Sequence, residues 1–136
     1  MSDDKLTRKI SQAEIDRVAI KLFLRIINEW GLTAQQGCML AGVENPEILN
    51  LWDQQIAQNK PLKLAQNTLE RLSLVVGIYG GIQEAFTDSA QWRVWIHKPN
   101  SRFHDMSALD WILLQGVSGL KDVRNYLEGQ NSGAYL

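Results

Sequence analysis

Residues 11–31 have the sequence SQAEIDRVAIKLFLRIINEWG, and the spacing of their apolar side chains indicates the fold class. Apolar residues recur every three or four positions, which is the period of one face of an α-helix. They are Ile15, Val18, Ala19, Leu22, Phe23, Ile26 and Ile27. Ser11, with Glu14 three residues later, forms a capping-box pattern, and Gly31 is a typical C-terminal stop. The segment therefore predicts one long amphipathic helix.

Three more helices are predicted between Thr33 and residue 80. Thr33 is a suitable N-cap for a helix that ends near Ala41, and Pro46 is well suited to the first turn of the next. The group Asn59-Lys60-Pro61 interrupts the pattern. A fourth helix covers about residues 64–76. Glycines at 77, 80 and 81 each weaken a helix by about 1 kcal/mol relative to alanine, so we expect a bend or junction there.

The C-terminal third predicts three further helices around one loop. Asp88 or Ser89 caps the first helix, a loop covers His97–Ser107, and Ser107 caps the second. After a break at Gly116–Gly119, a last helix places three apolar residues on one face: Leu120, Val123 and Leu127. No alternating apolar run predicts a strand, so the expected class is all-α. We divide the chain into a flexible N-terminus (1–10), a helical domain (11–80), a second helical domain (81–128) and a polar tail (129–136).

Composition narrows the function classes. The chain has 136 residues, of which 45% are hydrophobic and 21% charged, as in ordinary globular proteins. Its formal net charge of −1 gives no overall basic field, so any DNA contact must be local. No apolar stretch is long enough to span a bilayer, and the charged N-terminus does not resemble a signal peptide. We therefore expect a cytoplasmic protein. The single cysteine, Cys38, is expected to be a small buried residue.

The second and third helices have the spacing of a helix-turn-helix, a motif that offers its second helix to the major groove of DNA. Cys38 is small where the helices should approach, Gly42 permits a positive φ in the turn, and the expected packing positions are Val43, Ile48 and Leu51.

Some residues in and near this motif favour contact with DNA, and others oppose it. The candidate DNA-binding residues are Asn45, Asn50, Gln54, Lys60 and Lys63. No Lys or Arg lies between Leu32 and Asn59, and three carboxylates lie on or beside the second helix: Glu44, Glu47 and Asp53. These carboxylates would repel phosphates. Operator binding and an inherited scaffold used for packing or dimerisation both remain open.

Residues 104–110 contain side chains of the types used in nucleophilic catalysis: His104, Asp105, Ser107 and Asp110. No Gly-x-Ser-x-Gly elbow is present, and Ser107 is better explained as a helix cap. His97 and His104 lack the neighbours of a zinc site. We therefore expect a non-enzymatic protein with no cofactor and no metal.

Residues 95–127, WIHKPNSRFHDMSALDWILLQGVSGLKDVRNYL, carry five features in a fixed order. These are a Trp four residues before Pro99-Asn100, an aromatic at Phe103, a Ser-x-Leu-Asp helix start at 107–110, a glycine-containing break, and Val-Arg-x-Tyr-Leu at 123–127. Together they resemble the toxin-binding domain of the Xre/MbcA/ParS antitoxin family. Residues 30–72 resemble the Xre-like helix-turn-helix region of the same antitoxins. Where the family usually has glycines after the aromatic and a proline before the helix leucine, this chain has His104, Asp105 and Ala108.

The resemblance implies an antitoxin of a type II toxin–antitoxin system that neutralises a RES-domain toxin, an enzyme that degrades NAD, by direct contact. In similar proteins the extreme C-terminus can enter the toxin's active-site cleft, and here that segment is residues 130–136. The candidate toxin-binding residues are Trp95, Pro99, Asn100, Arg102, Phe103, Asp110, Arg124, Tyr126, Asn131, Tyr135 and Leu136.

The sequence thus predicts a two-domain, all-α antitoxin that blocks the active-site entrance of its toxin. Because the first helix is apolar over a wide face, we also expect a homodimer formed through the N-terminal helices, within a larger complex. Repression of its own operon through operator DNA is the further expectation. The alternatives are a free-standing helix-turn-helix regulator and a homo-oligomeric structural protein that binds no DNA.

Overall fold

A computed structural model describes residues 11–132, which contain seven α-helices, one short 3-10 helix and no strand. The helices are α1 (Gln12–Glu29), α2 (Ala34–Ala41), α3 (Glu47–Ala57), α4 (Gln66–Ala85), α5 (Ser89–Trp95), α6 (Ala108–Gln115) and α7 (Val117–Ser132). The 3-10 helix covers Ser101–Phe103. The prediction of an all-α fold is confirmed.

The first helices begin and end close to the polar residues and glycines that were predicted to cap them. Ser11 Oγ accepts a hydrogen bond from the Glu14 backbone N–H at 3.2 Å. Thr33 and Gln36 form a reciprocal capping box at the start of α2. Gly42 ends α2 with a φ of 73°, in the left-handed region that favours glycine.

α1 is tied to the segment between α3 and α4 by two charged residues. Asp16 is buried, and its carboxylate accepts hydrogen bonds from Gln12 Nε2 at 2.7 Å and the Leu64 N–H at 2.9 Å. Arg17 donates to the Ile56 carbonyl oxygen at 2.8 Å, near the C-terminal end of α3. A cation there stabilises the exposed carbonyl groups of the helix end. The segment after α3 is therefore held by side chains of α1.

The packing positions predicted for α3 need correction. Leu51 is half-exposed, whereas Leu49 and Trp52 are the buried residues of the helix. The Trp52 ring meets the edge of Phe23 on α1, with 6.4 Å between ring centroids. Cys38 is buried as predicted. The prediction for Leu51 was wrong because the inward face of α3 lies one residue further along the chain at Trp52.

The bend predicted at the glycines of α4 is also wrong. The helix continues from Gln66 to Ala85 through all three glycines, and α4 makes its most extensive contact with α7. A β-carbon at Gly77 would lie 2.9 Å from Arg124 Cδ, and one at Gly81 would lie 3.2 Å from Leu127 Cβ. Glycine therefore allows α7 to approach α4 closely. The predicted domain boundary at residue 80 falls inside this helix, which packs against both halves of the chain.

The last two helices are separated at Gly116 alone, rather than over the predicted break from 116 to 119. Gly116 has a φ of 66°, whereas Gly119 lies within α7. A β-carbon at Gly119 would lie 2.9 Å from the Trp111 carbonyl oxygen, so this glycine permits the close contact of α7 with α6. Leu120, Val123 and Leu127 are fully buried, as predicted. The helix continues to Ser132, so the expectation of a tail beginning at Gly129 is corrected.

An aromatic cluster centred on Tyr79 joins three of the helices. Tyr79 of α4 packs between Trp30 and Trp92, with centroid distances of 6.4 and 6.2 Å. Its hydroxyl donates to Glu29, which also pairs with Arg25 at 3.7 Å. Burial raises the pKa of the Tyr79 hydroxyl, and the hydrogen bond to Glu29 raises it further. α1, α4 and α5 are thus held together around one tyrosine.

Within residues 11–132 no helix combines the length and the apolar character needed to cross a membrane.

Candidate functional site

The loop between α5 and α6 is organised by Asn100. Its side-chain oxygen accepts from the Arg102 N–H at 2.9 Å, and its backbone N–H donates to the Met106 carbonyl oxygen at 3.0 Å. Its own carbonyl oxygen accepts from Phe103 and Asp105. Pro99 forms an isolated antiparallel bridge with Ser107, which closes the loop. The Asn100 side chain therefore stabilises the loop conformation.

His104 and Asp105 adopt left-handed backbone conformations, with φ values of 56° and 65°. Glycine is the residue that adopts this region without steric cost. These are the two positions at which this sequence departs from the glycines of the family it resembles. At these two positions the loop therefore has a backbone conformation that favours glycine, although the residues are His and Asp.

Tyr126 of α7 is the centre of an aromatic cluster beside this loop. Trp95 stacks on it at 6.3 Å between centroids, and Phe103 meets it edge-on at 5.6 Å. The guanidinium carbon of Arg102 lies 5.6 Å from the Tyr126 ring centroid, a cation–π distance. Phe103 also stacks on Trp111 at 6.3 Å. We call Trp95, Arg102, Trp111 and Tyr126, arranged around buried Phe103, the aromatic platform.

The platform carries a small cavity of about 260 Å³. Its lining residues are Arg102, Phe103, Trp111, Asp122, Asn125 and Tyr126. Trp111 Nε1 donates to Asp122 Oδ2 at 2.9 Å, which links α6 to α7 at the cavity wall. Trp, Tyr and Arg are the residue types most enriched among the strong contacts of protein interfaces. This surface therefore has the chemistry of a protein-binding site.

Arg124 and Asn131, also predicted to bind the toxin, lie on another side of α7. Arg124 packs against Gly77 and pairs with Glu128 at 2.7 Å. Asn131 Nδ2 donates to the Gly81 carbonyl oxygen at 3.1 Å. Both line a groove of about 560 Å³ between α4 and α7. The structure thus divides the predicted site between the aromatic platform and this α4–α7 groove.

The remaining predicted residues have different surroundings. Phe103 is only 3% exposed and supports the platform from beneath, although it also lines the cavity. Asp110 is exposed in the first turn of α6, and its backbone N–H donates to Ser107 Oγ at 3.0 Å. The same bond makes Ser107 a helix cap, as predicted. Tyr135 and Leu136 lie outside the described residues.

Three residues that line the cavity were not assigned to the site from the sequence: Trp111, Asp122 and Asn125. Asn125 and Tyr126 follow Asp122 by three and four residues, so they share one face of α7 with it. That spacing was available in the sequence. The sequence did not show which residue packs against that face, because Trp111 belongs to a different helix.

The candidate DNA-binding residues lie just before, on or after α3. Asn45, Asn50 and Gln54 line one shallow depression of about 400 Å³, and Glu47 shares it. The Asn45 side chain accepts from the Glu47 N–H at 3.0 Å and so caps the first turn. Lys60 and Lys63 are exposed in the segment that follows α3. The described residues contain no cluster of His, Cys, Asp and Glu that could hold a metal ion.

Comparison with known proteins identifies the C-terminal half. Residues 83–133 match the family model described as the antitoxin Xre/MbcA/ParS C-terminal toxin-binding domain. The chain is also 31% identical over 114 residues to the uncharacterized protein y4oB of Sinorhizobium fredii (strain NBRC 101917 / NGR234), an alignment that covers 84% of each chain. The matched domain contains α6, α7 and every residue of the aromatic platform. The chain belongs to the Xre/MbcA/ParS antitoxin family, and its partner is a toxin.

Proposed function

We propose that this antitoxin neutralises a RES-domain, NAD-degrading toxin by direct binding, and that the aromatic platform covers the entrance of the toxin's active site. The observation that carries the proposal is the position of the platform within the toxin-binding domain of residues 83–133. Arg102, Trp111 and Tyr126 surround one cavity there. Exposed aromatic and arginine side chains next to a pocket supply much of the binding energy of protein interfaces. The protein acts in the cytoplasm as a binding protein and not as an enzyme.

The C-terminal residues extend this proposal. α7 is described up to Ser132, and the part of residues 130–136 beyond it, residues 133–136, is the segment proposed to enter the toxin's cleft, with Tyr135 as its aromatic residue. This segment follows Asn131 and Ser132, which line the α4–α7 groove. The platform and the segment would then contact the toxin on two sides of α7.

We expect a toxin gene next to the gene for this chain, and expression of its product tests the proposal. Expression of that toxin alone should deplete cellular NAD and arrest growth, and co-expression of this chain should prevent both. Growth arrest with normal NAD would contradict the RES-type assignment. Failure of this chain to protect cells, with both proteins present, would contradict the neutralisation itself.

Binding of operator DNA is a second candidate function. Asn45, just before α3, lines one exposed depression together with Asn50 and Gln54 of α3, and amide side chains can read base edges in the major groove. Glu47 in that depression opposes phosphate binding. An operator fragment from the upstream region should shift at low salt, and Asn50→Ala should weaken the shift. No shift at low salt, with or without toxin, would contradict this function.

A further inference from the structure

The cavity of the aromatic platform is smaller than most sites for a free ligand. Its volume is about 260 Å³, whereas pockets for drug-sized molecules commonly measure about 300–1,000 Å³. Three aromatic rings, those of Phe103, Trp111 and Tyr126, form part of its lining. The planes of Phe103 and Trp111 are 26° apart, and Phe103 meets Tyr126 at 73°. The cavity therefore has the size and the walls for one planar aromatic side chain.

The charged groups of the cavity have opposite signs. Arg102 lies over the Tyr126 ring, Asp122 lies on α7, and both line the cavity. A carboxylate that approached Arg102 would also approach Asp122, and a cation that approached Asp122 would also approach Arg102. Because attraction and repulsion then oppose each other, the lining favours an occupant without net charge.

Asp122 and Asn125 offer hydrogen bonds at the wall of the cavity. Asp122 Oδ2 accepts from Trp111 Nε1 at 2.9 Å, and among the described residues no donor meets Oδ1. A carboxylate can accept at both oxygens, and the exposed Asn125 amide can donate or accept. An aromatic ring with a donor at its tip would therefore gain a charge-assisted hydrogen bond here.

We propose that the cavity receives one uncharged aromatic side chain of the toxin that carries a hydrogen-bond donor, as a tyrosine does. Its ring would lie against Trp111 and Tyr126, and its hydroxyl would donate to Asp122. Strong contacts on one side of an interface tend to pair with strong contacts on the other, and tyrosine is enriched among them. The inference rests on the proposed function, because it names the group of the toxin that the platform binds. Asp122 and Asn125 then determine specificity.

Small aromatic probes test the cavity in the full-length chain without the toxin. The probes share a methylbenzene ring: p-cresol adds a hydroxyl group, toluene adds no polar group, p-toluate is an anion and p-methylbenzamidine is a cation. p-Cresol should shift the NMR resonance of the Trp111 Nε1–H with a dissociation constant on the order of 1 mM. The other probes should bind about tenfold more weakly, because they lack the donor or carry a charge. No shift with p-cresol, or equally tight binding of another probe, would overturn the proposal.

A substitution that fills the cavity tests whether the toxin uses it. Asn125→Phe places a ring at the cavity wall, so it should abolish the p-cresol shift and weaken toxin binding at least about tenfold in a calorimetric titration. The matched control, Asn28→Phe, makes the same change at an exposed position of α1, outside the toxin-binding domain. It should leave both measurements unchanged, and both variants should keep the helical circular dichroism of the wild type.

The outcomes separate this inference from the proposed function. Wild-type toxin affinity in the Asn125→Phe variant, or an equal loss of affinity in the Asn28→Phe control, would overturn the inference alone. A toxin that the wild-type chain does not bind would contradict the proposed function, whatever the small probes do.

Discussion

Asp105 shows how one residue holds the loop below the aromatic platform. Its φ of 65° is a conformation that costs most L-residues about 1–2 kcal/mol, although Asp tolerates it better than others. Its backbone N–H donates to the Asn100 carbonyl oxygen at 3.0 Å, which fixes this conformation. The loop therefore carries some backbone strain at a position where glycine would carry none.

Replacing Asp105 by glycine should raise the free energy of unfolding by up to about 1 kcal/mol, because the strain is removed. The matched control is Asp110→Gly, the same chemical change at a helical position in α6. It should lower the free energy by about 1 kcal/mol, because glycine weakens a helix and a carboxylate near a helix N-terminus is lost. Urea unfolding followed by tryptophan fluorescence measures both. Equal destabilisation by the two substitutions would contradict the strained loop.

The free thiol of Cys38 is buried. Burial raises the pKa of its thiol, so the reactive thiolate is scarce near neutral pH. The native protein should react with a thiol reagent at least about tenfold more slowly than the urea-unfolded chain at the same pH. Comparable rates would show that the thiol is accessible, and the contact of α2 with the core would need revision.

At the scale of single helices, the glycines of α4 and α7 differ in what surrounds them. A β-carbon at Gly80 would have nothing within 4 Å, whereas one at Gly119 would lie 2.9 Å from backbone atoms of α6. Gly80→Ala should therefore stabilise the protein by up to about 1 kcal/mol, the helix-propensity difference. Gly119→Ala should destabilise it, because a helix backbone must move. Chemical unfolding of both variants tests the packing, and a stable Gly119→Ala variant would contradict it.

The sequence was sufficient for the number and type of the helices, because caps such as Ser11, Thr33 and Ser107 mark where they begin. The sequence did not predict features that depend on contacts between residues far apart in the chain. The glycines of α4 predicted a bend, but Gly77 and Gly81 instead make room for Arg124 and Leu127 on α7, more than forty residues away. The candidate site was divided for the same reason, since helical spacing does not show which neighbour Arg124 and Tyr126 each face.

For the whole molecule, Arg71 joins the N-terminal and C-terminal halves. Its guanidinium donates to the Met39 carbonyl oxygen at 3.4 Å at the end of α2. It fills the space beside Gly42, and a β-carbon at Gly116 would lie 4.0 Å from its Nη2. One cation thus lies near the C-terminal ends of α2 and α6, where it stabilises exposed carbonyl groups. The N-terminal and C-terminal halves of the antitoxin therefore pack directly against each other.

Residues 133–136 follow Ser132, the last described residue of α7. A chain that stops after Ser132 retains every described residue of α7, so it should keep its unfolding free energy. If residues 133–136 enter the toxin's cleft, this truncated chain should inhibit the toxin less than the full chain does. Equal inhibition at equal concentrations would remove the segment from the mechanism and leave the platform as the contact.

The most direct test of the account is a calorimetric titration of the purified toxin with three forms of this chain: wild type, Arg102→Glu and Lys63→Glu. Both variants exchange an exposed cation for an anion, but only Arg102 belongs to the aromatic platform, while Lys63 follows α3. The account predicts that Arg102→Glu weakens binding at least tenfold and that Lys63→Glu binds as the wild type does. Wild-type affinity in the Arg102→Glu variant would contradict the assignment of the platform as the toxin-binding surface.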